Sequence, residues 1–155
     1  RSGFDRGHMA PAADMTWSET AMKESFYFSN MCPQNPGLNR GAWKDLEESI
    51  RKWVKKDSAI AIVCGPLVDK RDTTIGRNEV KIPHAFFKVI VSPYVTTPRG
   101  IGFVFKNEKE DAPLSAYVVS IDSVEALTGM DFFSELPDEL ENRLESQNNI
   151  FDWKL

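Results

Sequence analysis

The chain has 155 residues and a formal net charge of −4, with 19 Lys and Arg against 23 Asp and Glu. This length favours one domain, residues 1–155, and a composition of 41% hydrophobic and 27% charged residues excludes an intrinsically disordered chain. The longest uninterrupted apolar run, residues 59–64, is far too short for a membrane span, and two cysteines exclude a disulfide-rich scaffold. We expect Cys32 and Cys64 to be small buried residues, although a single bridge between them stays open at this point.

The first part of the chain predicts short elements. In order these are a loop that includes at most a short strand end, a short helix, a strand and a second loop, at residues 1–15, 19–24, 26–30 and 32–37. Thr16 or Ser18 could cap the helix, because both side chains can accept a hydrogen bond from a free backbone amide. Proline and glycine in the second loop are expected to end the strand.

The clearest pattern in the sequence predicts an amphipathic helix over residues 39–56. Its apolar residues recur with the helical period, at Ala42, Trp43, Leu46, Ile50, Trp53 and Val54. We expect the two tryptophans to lie in the core. At about 100° per residue, Asn39 projects within the apolar sector, and Glu47 and Arg51 lie along its edge. The spacing therefore predicts one long helix with three polar groups beside its buried face.

The remainder of the chain predicts strands followed by helices. Four short β-branched or aromatic segments are predicted as strands, at residues 59–63, 86–91, 102–106 and 116–121. The polar residues 70–81 predict a loop or a hairpin. Helical composition recurs at residues 123–128 and 137–146, with Asp122 as a possible N-cap and Gly129 as a stop signal for the first. Without regular alternation of strand and helix, this order indicates an α+β fold with a mainly antiparallel sheet.

The first chemical motif is the tetrapeptide that ends at His8. In an extended backbone Arg6 and His8 project to the same side, because residues two apart share a face. A guanidinium can clamp a phosphate, and an imidazole can accept a proton near neutral pH. Taken alone, however, the tetrapeptide is weak evidence, and an ordinary surface histidine in a Gly and Pro loop is then the favoured interpretation of His8.

Three linked motifs make the pattern specific. They are DRGHMAP at residues 5–11, SNMCPQ at residues 29–34 and LNRGAWKDLE at residues 38–47. In this order and spacing they resemble the DNA/RNA non-specific endonuclease family, as do VKIPHAFFKVI at residues 80–90 and the segment 120–141. The resemblance implies the ββα-metal, or His-Me finger, fold: a mainly antiparallel central sheet flanked by helices.

The resemblance also implies a one-metal phosphodiesterase site. His8 would be the general base that takes a proton from the attacking water. Asn39 would be the single direct protein ligand of a magnesium ion, which prefers oxygen ligands and keeps most of its waters. Mn²⁺ or another divalent cation could replace it. Glu47 would hold waters of the ion from the second shell.

Three further residues receive roles from the same resemblance. Arg6 and Arg51 match arginines near the scissile phosphate, and Asn30 matches an asparagine that supports the site. The expected substrates are DNA and RNA, and the expected products carry a 5′-phosphate and a 3′-hydroxyl.

Each assignment has a structural alternative. Asn39 could simply cap the helix that starts there. Glu47 and Arg51, four residues apart, could form an ordinary ion pair on the helix surface. Three other polar residues are expected to be structural rather than metal ligands: Asp5, Asp14 and His84.

The alternatives for function follow from the start of the chain. The family has a substantial segment ahead of the DRGH motif, whereas here four residues precede Asp5. We therefore expect the catalytic C-terminal part of a longer protein, which could also be a nucleic-acid-binding or inhibitor-binding module made inactive by truncation. A small-nucleotide phosphodiesterase of the same fold is a third possibility. By analogy the location is secreted or periplasmic, an inhibitor protein is a possible partner, and no membrane partner is expected.

Charge is distributed unevenly along the chain. Residues 1–107 hold 16 Lys and Arg against 11 Asp and Glu, whereas residues 108–155 hold 3 against 12. The overall acidity therefore belongs to the C-terminal third and does not argue against a polyanionic substrate. The sequence predicts a basic catalytic face and an acidic surface elsewhere.

Overall fold

The computed structural model describes residues 2–153 and shows an α+β fold with antiparallel sheets, as predicted. The helices of this part are α1 (Glu19–Glu24), α2 (Pro36–Arg40), α3 (Ala42–Asp57), α4 (Ile121–Thr128) and α5 (Asp138–Glu145). The strands are β1 (Asp5–His8), β2 (Met31–Gln34), β3 (Ala61–Leu67), β4 (Thr74–Ile75), β5 (Val80–Lys81), β6 (Ala85–Ser92), β7 (Arg99–Lys106) and β8 (Val118–Val119). Across residues 2–153, no helix combines the length and the apolar character that crossing a bilayer requires.

The central sheet has four antiparallel strands in the order β3, β6, β7 and β8. All eight residues of β6 are buried, because helices cover both faces of the sheet. On one face Phe86 and Ile90 pack against the apolar stripe of α3, in which Trp43 and Trp53 are buried as predicted. On the other face Phe87, Val89 and Val91 pack with residues of α4 and α5. Lys88 shares the α3 face with Phe86 and Ile90, because alternate strand residues project to one side.

A separate ββα unit precedes this sheet in the chain. Strands β1 and β2 pair antiparallel, with His8 opposite Met31, and α2 and α3 follow directly. Gly7 allows this pairing, because a Cβ at that position would overlap the side chain of Gln34, which is completely buried. The unit holds the first two sequence motifs on paired strands.

The strand prediction for residues 26–30 is wrong, and so is the loop prediction for residues 32–37. Residues 28–30 form a 3-10 turn and the strand is β2. Pro33 is tolerated there because β2 pairs only with β1 within the described residues, so its missing N–H interrupts no second ladder. Pro36 then occupies the first turn of α2, where Asn35 caps the helix by accepting from the Gly37 amide.

The long helix predicted from residue 39 is two helices. Gly41 separates α2 from α3, and a side chain there would meet the Gly37 carbonyl oxygen. Asn39 therefore belongs to α2, whereas Glu47 and Arg51 belong to α3. The alternative in which Asn39 caps the long helix is wrong too, because Gly41 is the residue at the start of α3.

The other local predictions have mixed outcomes. Residues 70–81 contain the hairpin of β4 and β5, as predicted. The strand predicted at residues 116–121 is reduced to β8, between a 3-10 turn and the start of α4. Ser18 caps α1, and Ser120, rather than Asp122, caps α4. Gly129 ends α4 in the left-handed conformation, with φ of 69°, as the stop signal indicated.

Glu145 gives a prediction on stability. This side chain is 6% exposed, and burial and the nearby carboxylates raise its pKa to about 7. Between about pH 4.5 and 7, Glu145 is protonated in the folded state but ionised in the unfolded chain, where its pKa has the ordinary value of 4.5. Stability therefore falls as the pH rises through this range. We expect Glu145→Gln to raise the free energy of unfolding by at most about 3 kcal/mol at pH 8 and to change it little at pH 5.

Urea unfolding at the two pH values measures this difference. Glu139→Gln, at an exposed position on the same helix, is the matched control and should change the free energy of unfolding by less than about 0.5 kcal/mol. An equal effect of Glu145→Gln at both pH values would contradict the prediction.

Candidate active site

His8 ends strand β1 in a half-buried position. Its Nε2 atom is enclosed and has no hydrogen-bond partner within residues 2–153. The ring of Phe26 packs against the imidazole edge to face, with 4.6 Å between centroids and 85° between planes. Burial lowers the pKa of His8 from its ordinary value of 6.5. The imidazole is therefore mainly neutral at pH 7 and able to accept a proton.

Asn30 fixes the chain that follows His8. Its Oδ1 accepts from the Ala10 amide at 2.9 Å, and its Nδ2 donates to the carbonyl oxygens of Ala10 and Ser25, both at 2.8 Å. The Met9 amide donates to the Asn30 carbonyl oxygen at 3.0 Å. The asparagine of the SN pair thus holds the backbone on the C-terminal side of the imidazole.

Asn39 reaches back from α2 to the strand of His8. Its Nδ2 donates to Oδ2 of Asp5 at 3.0 Å, and Arg40 makes a bidentate pair with the same carboxylate at 2.8 and 2.7 Å. These hydrogen bonds, the one from Arg40 first, hold the pKa of Asp5 below its usual value. Asp5 is therefore a structural acceptor, as predicted. Because the amide nitrogen of Asn39 is used, its Oδ1 is the atom that could face a cation.

Glu47 lies beside a buried lysine. Lys88 is 2% exposed, and its Nζ lies 3.9 Å from Oε1 of Glu47 and 4.2 Å from the Trp43 ring centroid. Burial raises the pKa of the Glu47 carboxyl, and the positive charges of Lys88 and then Arg51 oppose that shift. The alternative in which Glu47 and Arg51 form an ion pair on the helix surface is wrong, because Arg51 donates to Asp14 at 3.0 Å instead. Asp14 is thus an acceptor, as predicted.

A cleft of about 310 Å³ connects these groups to the segment after His8. Met9, Ala10, Asp14, Glu47 and Lys88 all line it. Met9 directly follows His8, so Glu47 lies close to the end of the strand that carries the imidazole. Arg51 lies near the same cleft because it pairs with Asp14. Arg6, on the same strand β1, does not line this cleft, and its guanidinium carbon stands 5.5 Å from the centre of the Phe28 ring.

The oxygen donors of this site suit a hard divalent cation. The carbonyl oxygen of Asn39 and the carboxylate of Glu47 are the ligand types that Mg²⁺ or Mn²⁺ accepts, directly or through water. Acidic clusters elsewhere have a different composition. In the part of the chain that the structure describes, their members belong to α4, α5 and the segment between them: Asp122, Glu125, Asp131, Glu141 and Glu145.

The remaining polar candidates are structural. His84 hydrogen-bonds to Asp72 through Nδ1 at 3.0 Å, at the entrance of β6, as predicted. Cys32 and Cys64 are free and half-buried, and burial raises the pKa of both thiols. Neither a bridge nor a metal role follows from these positions.

Sequence reasoning missed Lys88 and the aromatic residues 26–28. The sequence does contain a signal for Lys88, because it is a lysine within the apolar run AFFKVI. A charged side chain in a buried strand needs a partner of opposite charge. The strand predicted at residues 26–30 gives no reason to expect three exposed aromatic side chains, as the structure shows at residues 26–28.

Lys88→Met is expected to weaken the magnesium response, that is, the affinity of this site for added Mg²⁺. Without the ammonium group, the Glu47 carboxylate loses its nearest positive charge and becomes easier to protonate. Changes of this kind around a metal site reduce metal affinity or activity by about 10- to 100-fold. The measurement is the calorimetric affinity for Mg²⁺ of the wild type and of the variant.

The matched control is Lys106→Met, which removes an exposed lysine from the neighbouring strand β7. Circular dichroism should show that both variants fold. An unchanged magnesium response in Lys88→Met would exclude an influence of this lysine on the site.

Comparisons with known proteins agree with the motifs. A family model described as DNA/RNA non-specific endonuclease matches residues 1–139. "Endonuclease G, mitochondrial" of Homo sapiens is 36% identical over 144 residues, covering 84% of this chain and 48% of that protein. "Nuclease 1, mitochondrial" of Schizosaccharomyces pombe is 35% identical over 154 residues, covering 88% and 48%. The chain thus spans about half the length of these curated relatives.

A solved structure gives the same result for the fold. A chain in the crystal structure of the EndoG/EndoGI complex superposes with a TM-score of 0.83 at 34% sequence identity. The match covers 90% of this chain and 63% of that one. Since the family model covers most of the sequence and the architecture is shared, the chain belongs to the DNA/RNA non-specific endonuclease family.

Proposed function

We propose that this chain is the catalytic part of a magnesium-dependent, sugar-non-specific endonuclease that hydrolyses phosphodiester bonds of DNA and RNA. The observation that carries the proposal is the hydrogen bond from Asn39 to Asp5. It ties the candidate metal ligand to strand β1, which ends at the candidate base, His8. Membership of the nuclease family supports the reaction class.

His8 acts as the base through Nδ1. Because Nε2 is enclosed by protein, Nδ1 is the ring nitrogen left to take a proton from water. As that proton leaves, the water oxygen bonds to phosphorus and the bond from phosphorus to the 3′ oxygen breaks. The 3′ oxygen takes a proton from solvent, which leaves a 3′-hydroxyl and a 5′-phosphate. Asn30 orients the base by fixing the backbone behind it.

Asn39 and Glu47 would hold the divalent cation. Asn39 would bind it through Oδ1, and Glu47 would hold waters of its hydration shell, with Lys88 opposing the rise that burial causes in the pKa of this carboxyl. When bound, the cation would stabilise the negative charge that develops on the phosphate and on the leaving oxygen. Arg6 and Arg51 would add positive charge on either side of the phosphate.

The solved relative supports a partner proposal as well. That structure is described as a complex that explains EndoG inhibition. We extend this to the present chain as a proposal that an inhibitor protein can bind it. The secreted or periplasmic location stays a prediction.

Asn39 provides the test of the metal site. We expect Asn39→Ala to reduce Mg²⁺ binding in calorimetry and to reduce cleavage of plasmid and RNA by about 10²-fold or more at low millimolar Mg²⁺, since it removes the proposed direct ligand. Asn39→Asp retains an oxygen ligand but loses the hydrogen bond to the Asp5 carboxylate, and it should bind Mg²⁺ more tightly than Asn39→Ala. Equal Mg²⁺ affinity in wild type and Asn39→Ala would exclude Asn39 as the ligand.

A further inference from the structure

Five carboxylates meet between α4 and α5, on the face of the central sheet opposite α3. Each helix supplies two of them, about one turn apart, and the segment between the helices supplies the fifth: Asp122, Glu125, Asp131, Glu141 and Glu145. Their oxygens form two groups of three, each with all members within 4.8 Å of one another, and Glu145 belongs to both groups. We call these five residues the acidic cluster.

Glu145 distinguishes this cluster from a group of solvated acidic residues. Its side chain is 6% exposed, and its Oε1 atom is enclosed by protein without a hydrogen-bond partner within residues 2–153. Oε1 of Glu141 is enclosed and unpartnered in the same way. A buried carboxylate is costly unless a donor or an opposite charge compensates it. The cluster therefore holds two oxygen atoms that lack the partner their burial requires.

No basic side chain supplies this partner in the part of the chain that the structure describes. The ion pairs formed by residues 2–153 include no member of the acidic cluster. Over the same residues, its carboxylates accept one hydrogen bond, from the Phe132 amide to Oε1 of Glu125 at 2.7 Å. Five carboxylates thus share a single donor, and a cation from solution is the partner that would compensate them.

The backbone that carries the acidic cluster is held in place. Apolar residues of both helices pack in one core with the central sheet: Ile121, Val124 and Leu144. The segment between the helices is anchored by Phe132, whose ring packs against Phe87 with 5.5 Å between centroids. Asp131 directly precedes this anchor. The oxygens are therefore presented from fixed elements, and a cation could bind them without a rearrangement of the helices.

The number and spacing of these oxygens suit calcium. Ca²⁺ takes about six to eight oxygen ligands at about 2.3–2.6 Å, so opposite ligands of one ion stand about 5 Å apart. Each group of three oxygens, within 4.8 Å, fits this span. Mg²⁺ requires a smaller and nearly ideal octahedron and keeps several waters, so a cage of carboxylates suits it less well.

We propose that the acidic cluster is a Ca²⁺ site that ties α4 to α5, with Glu145 as its central ligand. This site is independent of the proposed nuclease reaction. Two of its ligands, Glu141 and Glu145, lie outside residues 1–139, the part of the chain that the family model matches. Because the ion binds the folded arrangement of the two helices, Ca²⁺ should stabilise the folded chain.

Calorimetric titration of Ca²⁺ at pH 8, with low millimolar Mg²⁺ present to occupy the candidate active site, tests the proposal. We expect the wild type to bind Ca²⁺ with a Kd of about 10⁻⁴ M or lower. Glu145→Gln should weaken this binding by at least about 10-fold, because it removes the charge of the shared ligand. Asn39→Ala, which alters the candidate active site, should bind Ca²⁺ as the wild type does.

Two further variants separate loss of the site from loss of the fold. Glu139→Gln makes the same substitution at an exposed position of α5 outside the acidic cluster, and it should leave the Kd unchanged. The double variant Asp122→Asn with Asp131→Asn removes one exposed carboxylate from each group of three and should also weaken binding by at least about 10-fold. Without Ca²⁺, Glu145→Gln should be more stable than the wild type at pH 8, so its weaker binding would not result from unfolding.

Urea unfolding gives a second readout. Ca²⁺ should raise the urea midpoint of the wild type and leave that of Glu145→Gln unchanged. Absence of Ca²⁺ binding to the wild type would overturn the proposal, and so would equal Ca²⁺ affinity in the wild type and Glu145→Gln. Binding that is lost in Asn39→Ala but kept in Glu145→Gln would assign the ion to the candidate active site instead. Equal affinity of Asn39→Ala for Mg²⁺ and Ca²⁺ would overturn the assignment to calcium.

Discussion

Replacing His8 by Gln should lower kcat for DNA and RNA cleavage by about 10²- to 10⁴-fold, the range that general-base catalysis contributes. Glutamine preserves much of the volume beside Phe26 but cannot take a proton from water at neutral pH. Calorimetric Mg²⁺ binding and the unfolding free energy should change little, because the proposed metal ligand is Asn39 and glutamine can still pack beside the Phe26 ring. A small loss of kcat, below about 10-fold, would exclude His8 as the base.

The pH dependence of the wild type gives a second measure of the same role. The proposed base, His8, would act in its neutral form, and burial lowers its pKa below 6.5. Cleavage should therefore be constant at neutral pH and should fall only when the pH drops below the ordinary imidazole range. In His8→Gln this fall should be absent from the residual activity.

The largest expected effect on stability comes from Asp57, at the C-terminal end of α3. This buried carboxylate, 7% exposed, accepts from Oγ of Ser92 at 2.8 Å and forms an ion pair with Arg99. Arg99 also stands 4.7 Å from the centre of the Trp153 ring. Asp57→Asn leaves a largely buried guanidinium without its counter-charge, which costs about 3 to 5 kcal/mol.

Urea unfolding at pH 7 measures this cost. Asp45→Asn, at an exposed position on the same helix, is the control and should change stability by less than about 0.5 kcal/mol. A loss below about 1 kcal/mol for Asp57→Asn would show that the ion pair does not hold α3 against the central sheet.

The sequence predicts the central sheet and its flanking helices because their signals are local. The helical period over Trp43, Leu46, Ile50 and Trp53 marks the face that α3 buries, and the apolar run of β6 marks a strand covered on both sides. The three motifs likewise lie on neighbouring elements. Elements of this kind can be predicted from the sequence because their own residue pattern, and not a contact with residues distant in the chain, determines them.

The rest of the fold depends on contacts between residues distant in sequence. The break at Gly41 is set by its close approach to Gly37, and the strand at residues 31–34 by its pairing with β1. In the site, Lys88 reaches Glu47 across 41 positions of the chain, so no local pattern could show it. The hydrogen bond between Asn39 and Asp5 is hidden for the same reason.

Incubation of the wild-type chain with supercoiled plasmid and with single-stranded RNA is the most direct test of the proposed catalytic unit. With millimolar Mg²⁺, we expect nicked and then linear plasmid, short RNA fragments with 5′-phosphates, and no cleavage in EDTA. The contradicting result is that both substrates are bound but stay intact with Mg²⁺, with the wild type as with His8→Gln. It would exclude the assignment of His8 and Asn39 to a metal-dependent nuclease site.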